Sequence, residues 1–420
     1  MKKETIFRKL AVDGGKKERS KPWPPRHLIG MEEKKAVDAL FERAIESGNA
    51  FGYNGPEENA FCEQFAKFMG GGYADGVNSG TTAVYVALRA LNPEPSTEII
   101  AGPITDPGGI MPIPLLGCIP VVADAAPGSF NAGPEQIEKM ITPRTGAILV
   151  AHIFGEPADM HGIMRVARKK NIPVVEDCAQ AHAAAINGKL VGSFGDVAAF
   201  STMFGKHFCT GGQGGVVYTR NEKIYRQARR VSDRGKPFFL PAGTTNCVAA
   251  LNLNLNDLAA AIGSVQLKKL PGIVEHRRRI VTQLQAGLRG IKTVSFPEQV
   301  HGANPSYWFI RLRFNSAAAL CDKPAYCKAL AAEGLLVNAD YNHMPHTFDW
   351  FKNKCVFGSS KLPWAAPSYK GKFADGKFEC PNAVQSIKDH FILTVYESWG
   401  KQEAQDMIRI FKKVDGALGK

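Results

Sequence analysis

Between residues 97 and 178 the apolar positions fall in short unbroken runs rather than in alternation: TEIIAGP, IPVVAD, GAILVAHI and IPVVEDC. Such β-rich runs, with no polar residue at every second place, predict strands buried on both faces, as in a parallel sheet. Around them the apolar residues recur at helical spacing, in EEKKAVDALFERAIES, EENAFCEQFAKFM, TTAVYVALRAL, PEQIEKMI and MHGIMRVARKK. Strands alternating with helices predict an α/β fold whose mostly parallel sheet is covered by helices on both sides. Two more β-type runs, VAAFSTM and GVVYT, flank a Gly-rich connection, FGKHFCTGGQGG.

The second half changes character. NDLAAAIGSVQLKKL and IVEHRRRIVTQLQAGL are strongly helical, with Pro271-Gly272 read as an interruption between them. Beyond lie strand candidates WFIRLRF and LLVNADY and a terminal helix, KQEAQDMIRIFKKV. A Pro-, Gly- and Lys-rich stretch at about 350–382 reads as a loop or mobile flap. The expected division is an N-terminal arm at 1–26, charged and Pro-rich, a large domain at 27–270 and a smaller C-terminal α/β domain at 271–420, since single cores rarely grow beyond about 250–300 residues.

Composition narrows this picture in two ways. The nine cysteines are scattered without a CxxC pair, which argues against zinc or a redox centre and gives no metal site. The net charge of +13 is spread over small basic groups such as Arg277 to Arg279, without a basic helix interleaved with aromatics. Nucleic acid is therefore not the expected partner; an anionic cofactor or substrate fits the charge as well. Neither a leader-like N-terminus nor an apolar run of about 18 residues is evident, so a cytoplasmic protein without membrane association is expected.

Candidate chemistry gathers at strand ends. NSGTTA, Asn78 to Ala83, opens a helix with small residues, where unpaired backbone N–H groups and the positive end of the helix dipole suit a phosphate. Asp177 ends the apolar strand of VVEDCAQAH, the edge at which open α/β sheets bind ligands, and a carboxylate there needs a cation or hydrogen-bond donors. Ser201 and Lys206 lie in the connection that follows. A phosphate cradle, a strand-end aspartate and a lysine beside a serine form the set that pyridoxal phosphate requires.

These motifs, in this order, together with NGPEENAFCEQFAKF, LLGCIPVVAD and LNLNLNDLAAAIGSVQLKKL, resemble the DegT/StrS-type sugar aminotransferases, which are fold-type I pyridoxal phosphate enzymes. The resemblance implies that Lys206 is the Schiff-base residue, that Asp177 pairs with the pyridinium nitrogen, that Gln180 lies near the ring hydroxyl, and that Gly80, Thr81 and Ser201 hold the phosphate. Asn252 matches an asparagine that reaches the phosphate of a neighbouring subunit, implying a homodimer with shared active sites. Three positions depart from the pattern. Asp106, in PITDPGG, stands where an aromatic ring usually stacks on the cofactor; His207 replaces a common asparagine and reads as packing; Asn254 stands where a basic residue is frequent.

The implied reaction is a ping-pong transfer from L-glutamate or L-glutamine, through pyridoxamine phosphate, to a keto-sugar or keto-cyclitol. Lysine at 206, rather than the histidine of dehydrating relatives, favours amino transfer. Substrate-wall candidates are Tyr53, Asn54, Lys236, Tyr307, Trp308, Tyr341, His343 and His346. Two other readings compete: a pyridoxal phosphate-binding sensor or non-transaminating member, and a nucleotide binder built on TGGQGG. The latter motif lies between β-type runs instead of opening a helix, which suits a hairpin turn better.

Overall fold

The computed structural model describes residues 9–420. Its centre is a seven-stranded sheet in the spatial order Tyr73–Val77, Gly215–Thr219, Val197–Ser201, Val174–Asp177, Thr145–Ala151, Glu98–Ala101, Ile119–Val122. Only Gly215–Thr219 runs against the other strands, pairing antiparallel on both sides. Strands such as Ile119–Val122 and Val197–Ser201 are buried along their whole length, as the unbroken apolar runs demand. The chain is thus an α/β protein with a mostly parallel sheet, and the reversed strand brings the Gly-rich connection beside the ends of its neighbours.

A second, four-stranded antiparallel sheet joins Val294–Ser295, Ile310–Phe314, His390–Leu393 and Val337–Asn338. Helices Lys323–Ala332 and Lys401–Leu418 contribute to the same core, through Tyr326, Leu330, Met407 and Phe411. The residues before the first long helix lie against this lobe: Trp23 stacks on Trp399 at 4.4 Å, and Arg19 pairs with Asp406. The expected arm is therefore packed down, although residues 1–8 of it lie outside the described residues.

Two expectations need correction. Pro271-Gly272 does not interrupt the chain, because one helix runs from Asp257 to Gly287 with Pro271 inside it. A proline within a helix costs about 3 kcal/mol, and burial on both sides of it offsets that cost: Leu267, Leu270 and Val274 pack into one core, Ile280, Val281 and Leu284 into another. A division at 270/271 would cut this helix. The stretch at 350–382 is also no free flap. Phe351, Trp364, Tyr369, Phe373 and Cys380 are buried against the large core, and the Tyr369 hydroxyl donates to Glu98 Oε1 at 2.8 Å. Its apolar residues are spaced irregularly, so neither period betrays them.

Candidate active site

The last residues of parallel strands meet at one cavity of about 200 Å³, whose lining includes Gly80, Thr81, Asp106, His152, Asp177, Gln180, Ser201 and Lys206. The helix Gly80–Ala90 starts there because Ser79 caps it, its hydroxyl accepting from the Thr82 N–H at 3.1 Å. Position 80 must be glycine for a steric reason. A Cβ on Gly80 would lie 2.5 Å from the Ser201 Cβ, so any side chain would push the helix start away from the strand end. The first N–H groups of that helix have no partners within it and face a site where an anion would satisfy them.

Asp177 closes its strand with Oδ1 accepting from the Ala179 N–H at 3.0 Å. Its other oxygen has no hydrogen-bond partner among the described residues. Burial raises the pKa of this carboxyl, opposed by the Ala179 N–H and the charge of Lys206. A cation bound at the cavity would reverse that shift.

Lys206 is 7% exposed. Burial lowers its pKa to about 8, against the opposing pull of Asp177 and Asp106. Its ammonium lies 3.8 Å from the centre of the Trp308 ring, and the Trp308 indole N–H donates to Gly205 O at 2.8 Å. A ring fixed to the backbone beside the lysine thus holds the amine in place. For the protein free of cofactor, the rate of bonding to pyridoxal phosphate should rise with pH and level off above about 8, as Lys206 deprotonates. Stopped-flow absorbance would check this; a pH-independent rate would show that the lysine is already neutral.

Gln180 sits on the same edge, its Oε1 accepting from the Phe154 N–H at 2.8 Å and its Nε2 lying 3.4 Å from the Tyr341 hydroxyl. Tyr341 stacks on His343 with centroids 4.1 Å apart. Of the substrate-wall candidates, Trp308, Tyr341 and His343 therefore reach the cavity's surroundings. His346 does not, since it lines a separate cavity with Lys352, Phe378 and Val384. The Tyr307 carbonyl accepts from Arg277.

Asn252, Tyr53 and Lys236 form another group away from this lining. Asn252 is bridged to Asp233, and its Oδ1 accepts from Asn254 at 2.7 Å. Lys236 pairs with Asp233 at 2.7 Å and lies 3.3 Å from the Tyr53 hydroxyl, which also contacts Arg234. Asn54 ties the patch down by donating to Asp233 at 3.2 Å.

His207 is fully buried and its pKa is held well below the usual value, first by burial and then by the charge of Arg277. Its Nε2–H donates to Ser306 O at 3.1 Å, and its Nδ1 is 3.4 Å from that of His182. It packs behind the lysine as a neutral ring.

Sequence reasoning passed over His152, which also lines the cavity. Its Nδ1 accepts from the Ala158 N–H at 3.0 Å, so Nε2 carries the proton toward Glu176 at 3.2 Å. The strand-end rule that singled out Asp177 could have found it, since it directly follows the strand ending at Ala151. His152, Glu176 and Cys178 bring potential metal ligands together, but Glu176 is saturated by the N–H groups of Gly192, Phe194 and Gly195. Those bonds explain the cluster without a metal ion.

A seven-stranded, mostly parallel sheet with a lysine and an aspartate at its ligand edge, beside a smaller antiparallel lobe, defines a fold-type I pyridoxal phosphate-dependent transferase. Residues 31–374 match the model of the DegT/DnrJ/EryC1/StrS aminotransferase family, and the chain belongs to that family. It is 31% identical, over 99% of both chains, to a Micromonospora echinospora protein assigned as an L-glutamine:3-amino-2,3-dideoxy-scyllo-inosose aminotransferase. It is 34% identical to GDP-perosamine synthase of Caulobacter vibrioides over 53% of this chain and 59% of that enzyme. The crystal structure of an aminotransferase from Psychrobacter cryohalolentis superposes with a TM-score of 0.80 at 25% identity, covering 93% of this chain and 98% of that one. Among the described residues no helix is long and apolar enough to cross a membrane.

Proposed function

We propose that the protein transfers an amino group from L-glutamate or L-glutamine to a keto-cyclitol or keto-sugar by a ping-pong mechanism, with pyridoxal phosphate as cofactor. The observation that carries this reading is the buried Lys206 of lowered pKa, sharing one cavity with Asp177 and the Gly80 helix start. The donor set fits the cofactor: backbone N–H groups with Thr81 and Ser201 for a phosphate, a desolvated carboxylate at Asp177 for a protonated ring nitrogen, and a lysine poised to deprotonate for an aldehyde. When bound, the cofactor supplies an aldehyde for amine capture and a ring that withdraws electrons from the reacting carbon.

The chain's own residues do the rest. Lys206 would hold the aldehyde and, as a free amine, would move the proton of the donor's α-carbon; burial lowers its pKa to about 8, which favours the neutral form that task needs. Asp177 keeps the ring nitrogen protonated. Gln180, held by Phe154 and Tyr341, orients the ring hydroxyl, and Trp308 restricts the freed amine. To test the assignment, load the protein with L-glutamate or L-glutamine, follow the absorbance change, then add keto-cyclitols and nucleotide-linked keto-sugars. A spectrum left unchanged by both donors would sink this reading.

The separate group around Asn252 supports a homodimer in which each chain completes its neighbour's site. Leu251 beside Asn252 is 61% exposed and Phe204 near Lys206 is 66% exposed, apolar surface that a second copy would cover. Asn252→Ala is expected to weaken cofactor retention about tenfold, the effect of losing one hydrogen bond to a charged group. Dialysis against buffer and sedimentation would check this; a monomer with full activity would remove the shared site.

A further inference from the structure

Among the described residues, Asp106 is the one charged side chain of the cavity wall that the proposed reaction leaves without a task. The charged residues in the lining are Asp106, Asp177 and Lys206, and the last two serve the cofactor. The imidazole of His152 already has partners at both nitrogens, the Ala158 N–H and Glu176. His343, which feels the charge of Asp106, is kept toward its neutral form by burial. Asp106 itself accepts only the Gly108 N–H, at Oδ1 and 2.9 Å; Oδ2 has no partner and no ion pair among the described residues. It is solvent-exposed in the structure, so its hydration is lost only when a ligand covers it. Stripping water from an uncompensated carboxylate is costly, whereas a cation in the ligand turns that cost into selectivity.

We propose that Asp106 is a specificity-determining residue that receives an ammonium group of the substrate, most directly a second amine on the acceptor ring. This rests on the aminotransferase reading and names its substrate class: an acceptor with an ammonium substituent, rather than one bearing a phosphate at that place. The α-ammonium of the amino donor presents the same chemistry, and the test separates the two sources.

Asp106→Asn keeps the Gly108 contact through its amide oxygen and removes only the charge. Calorimetry on the protein loaded with pyridoxamine phosphate, which cannot react with amines, would compare scyllo-inositol, its monoamino derivative and L-glutamine. The wild type is expected to bind the aminocyclitol at least about tenfold more tightly than the inositol, the discrimination typical of a charge-assisted hydrogen bond, and Asp106→Asn to erase that ratio while leaving inositol binding within about twofold. A loss confined to L-glutamine would assign the ammonium to the donor instead. Equal binding of the amino and hydroxyl rings, or a preference that survives in Asp106→Asn, together with unchanged glutamine binding, would overturn the proposal. The aminotransferase reading fails by a different readout, the absence of any spectral change with amino donors.

Discussion

Replacing Lys206 by alanine is expected to abolish amino transfer, lowering kcat by at least about 10⁴-fold, while cofactor still binds without a covalent link. The magnitude combines the two roles proposed for Lys206, holding the aldehyde and carrying the proton, the latter worth about 10²–10⁴ in typical enzymes. Cofactor should remain because the other contacts proposed for it, at the Gly80 helix start, Ser201 and Asp177, lie on separate elements. The fold should tolerate the change. Among the described residues Lys206 has no salt bridge and its ammonium rests on Trp308, so alanine removes a desolvated charge rather than half of an ion pair. Absorbance of the loaded variant and its single-turnover rate with L-glutamine provide the check. A variant that cycles at the wild-type rate would show that another base moves the proton.

Arg311→Ala should lower stability by about 3–5 kcal/mol, the usual cost of stranding one member of a buried ion pair. Arg311 is 2% exposed and pairs with Glu156 at 2.6 Å, donates to Gly128 O at 2.8 Å and lies 4.9 Å from the centre of the Phe130 ring. These contacts join the antiparallel sheet of the small lobe to loops of the large one. Glu156 borders the turn in which the Phe154 N–H meets Gln180 and the Phe154 carbonyl accepts from the Trp308 N–H. Loss of Arg311 should therefore also loosen the cover over Lys206, raising KM along with the destabilisation. Chemical denaturation should show the double change Glu156→Leu with Arg311→Met to be less harmful than Arg311→Ala, because it leaves no charge unpaired. Equal stability of Arg311→Ala and wild type would mean that water reaches Glu156 and that the pair does not bind the lobes.

Much of the cavity was legible because its residues are fixed locally. Gly80, Asp177, Ser201 and Lys206 each sit within a few residues of a strand end whose apolar run is plain in the sequence, and open sheets place such ends on one edge. Trp308 and Tyr341 could be named as candidates but not distinguished from Tyr307 or His346, which stand in the same segments; Tyr307 packs against the small-lobe core and His346 lines another cavity. His152 escaped notice because a histidine after an apolar strand has many ordinary uses. The buried stretch from Phe351 to Cys380 was misread since its order comes from contact with the large core, not from a period of its own.

Patterning along the chain suffices for the alternation of buried strands and amphipathic helices, hence the α/β class, and for the order of the motifs that surround a lysine and an aspartate. Those follow from short-range rules of burial and backbone geometry. Long-range packing is what keeps the helix through Pro271 unbroken, turns Trp308 toward Lys206, and sets Asn252, Tyr53 and Lys236 apart from the cavity. Each of these depends on which distant surfaces share a core or a charge, and no spacing along the chain encodes that.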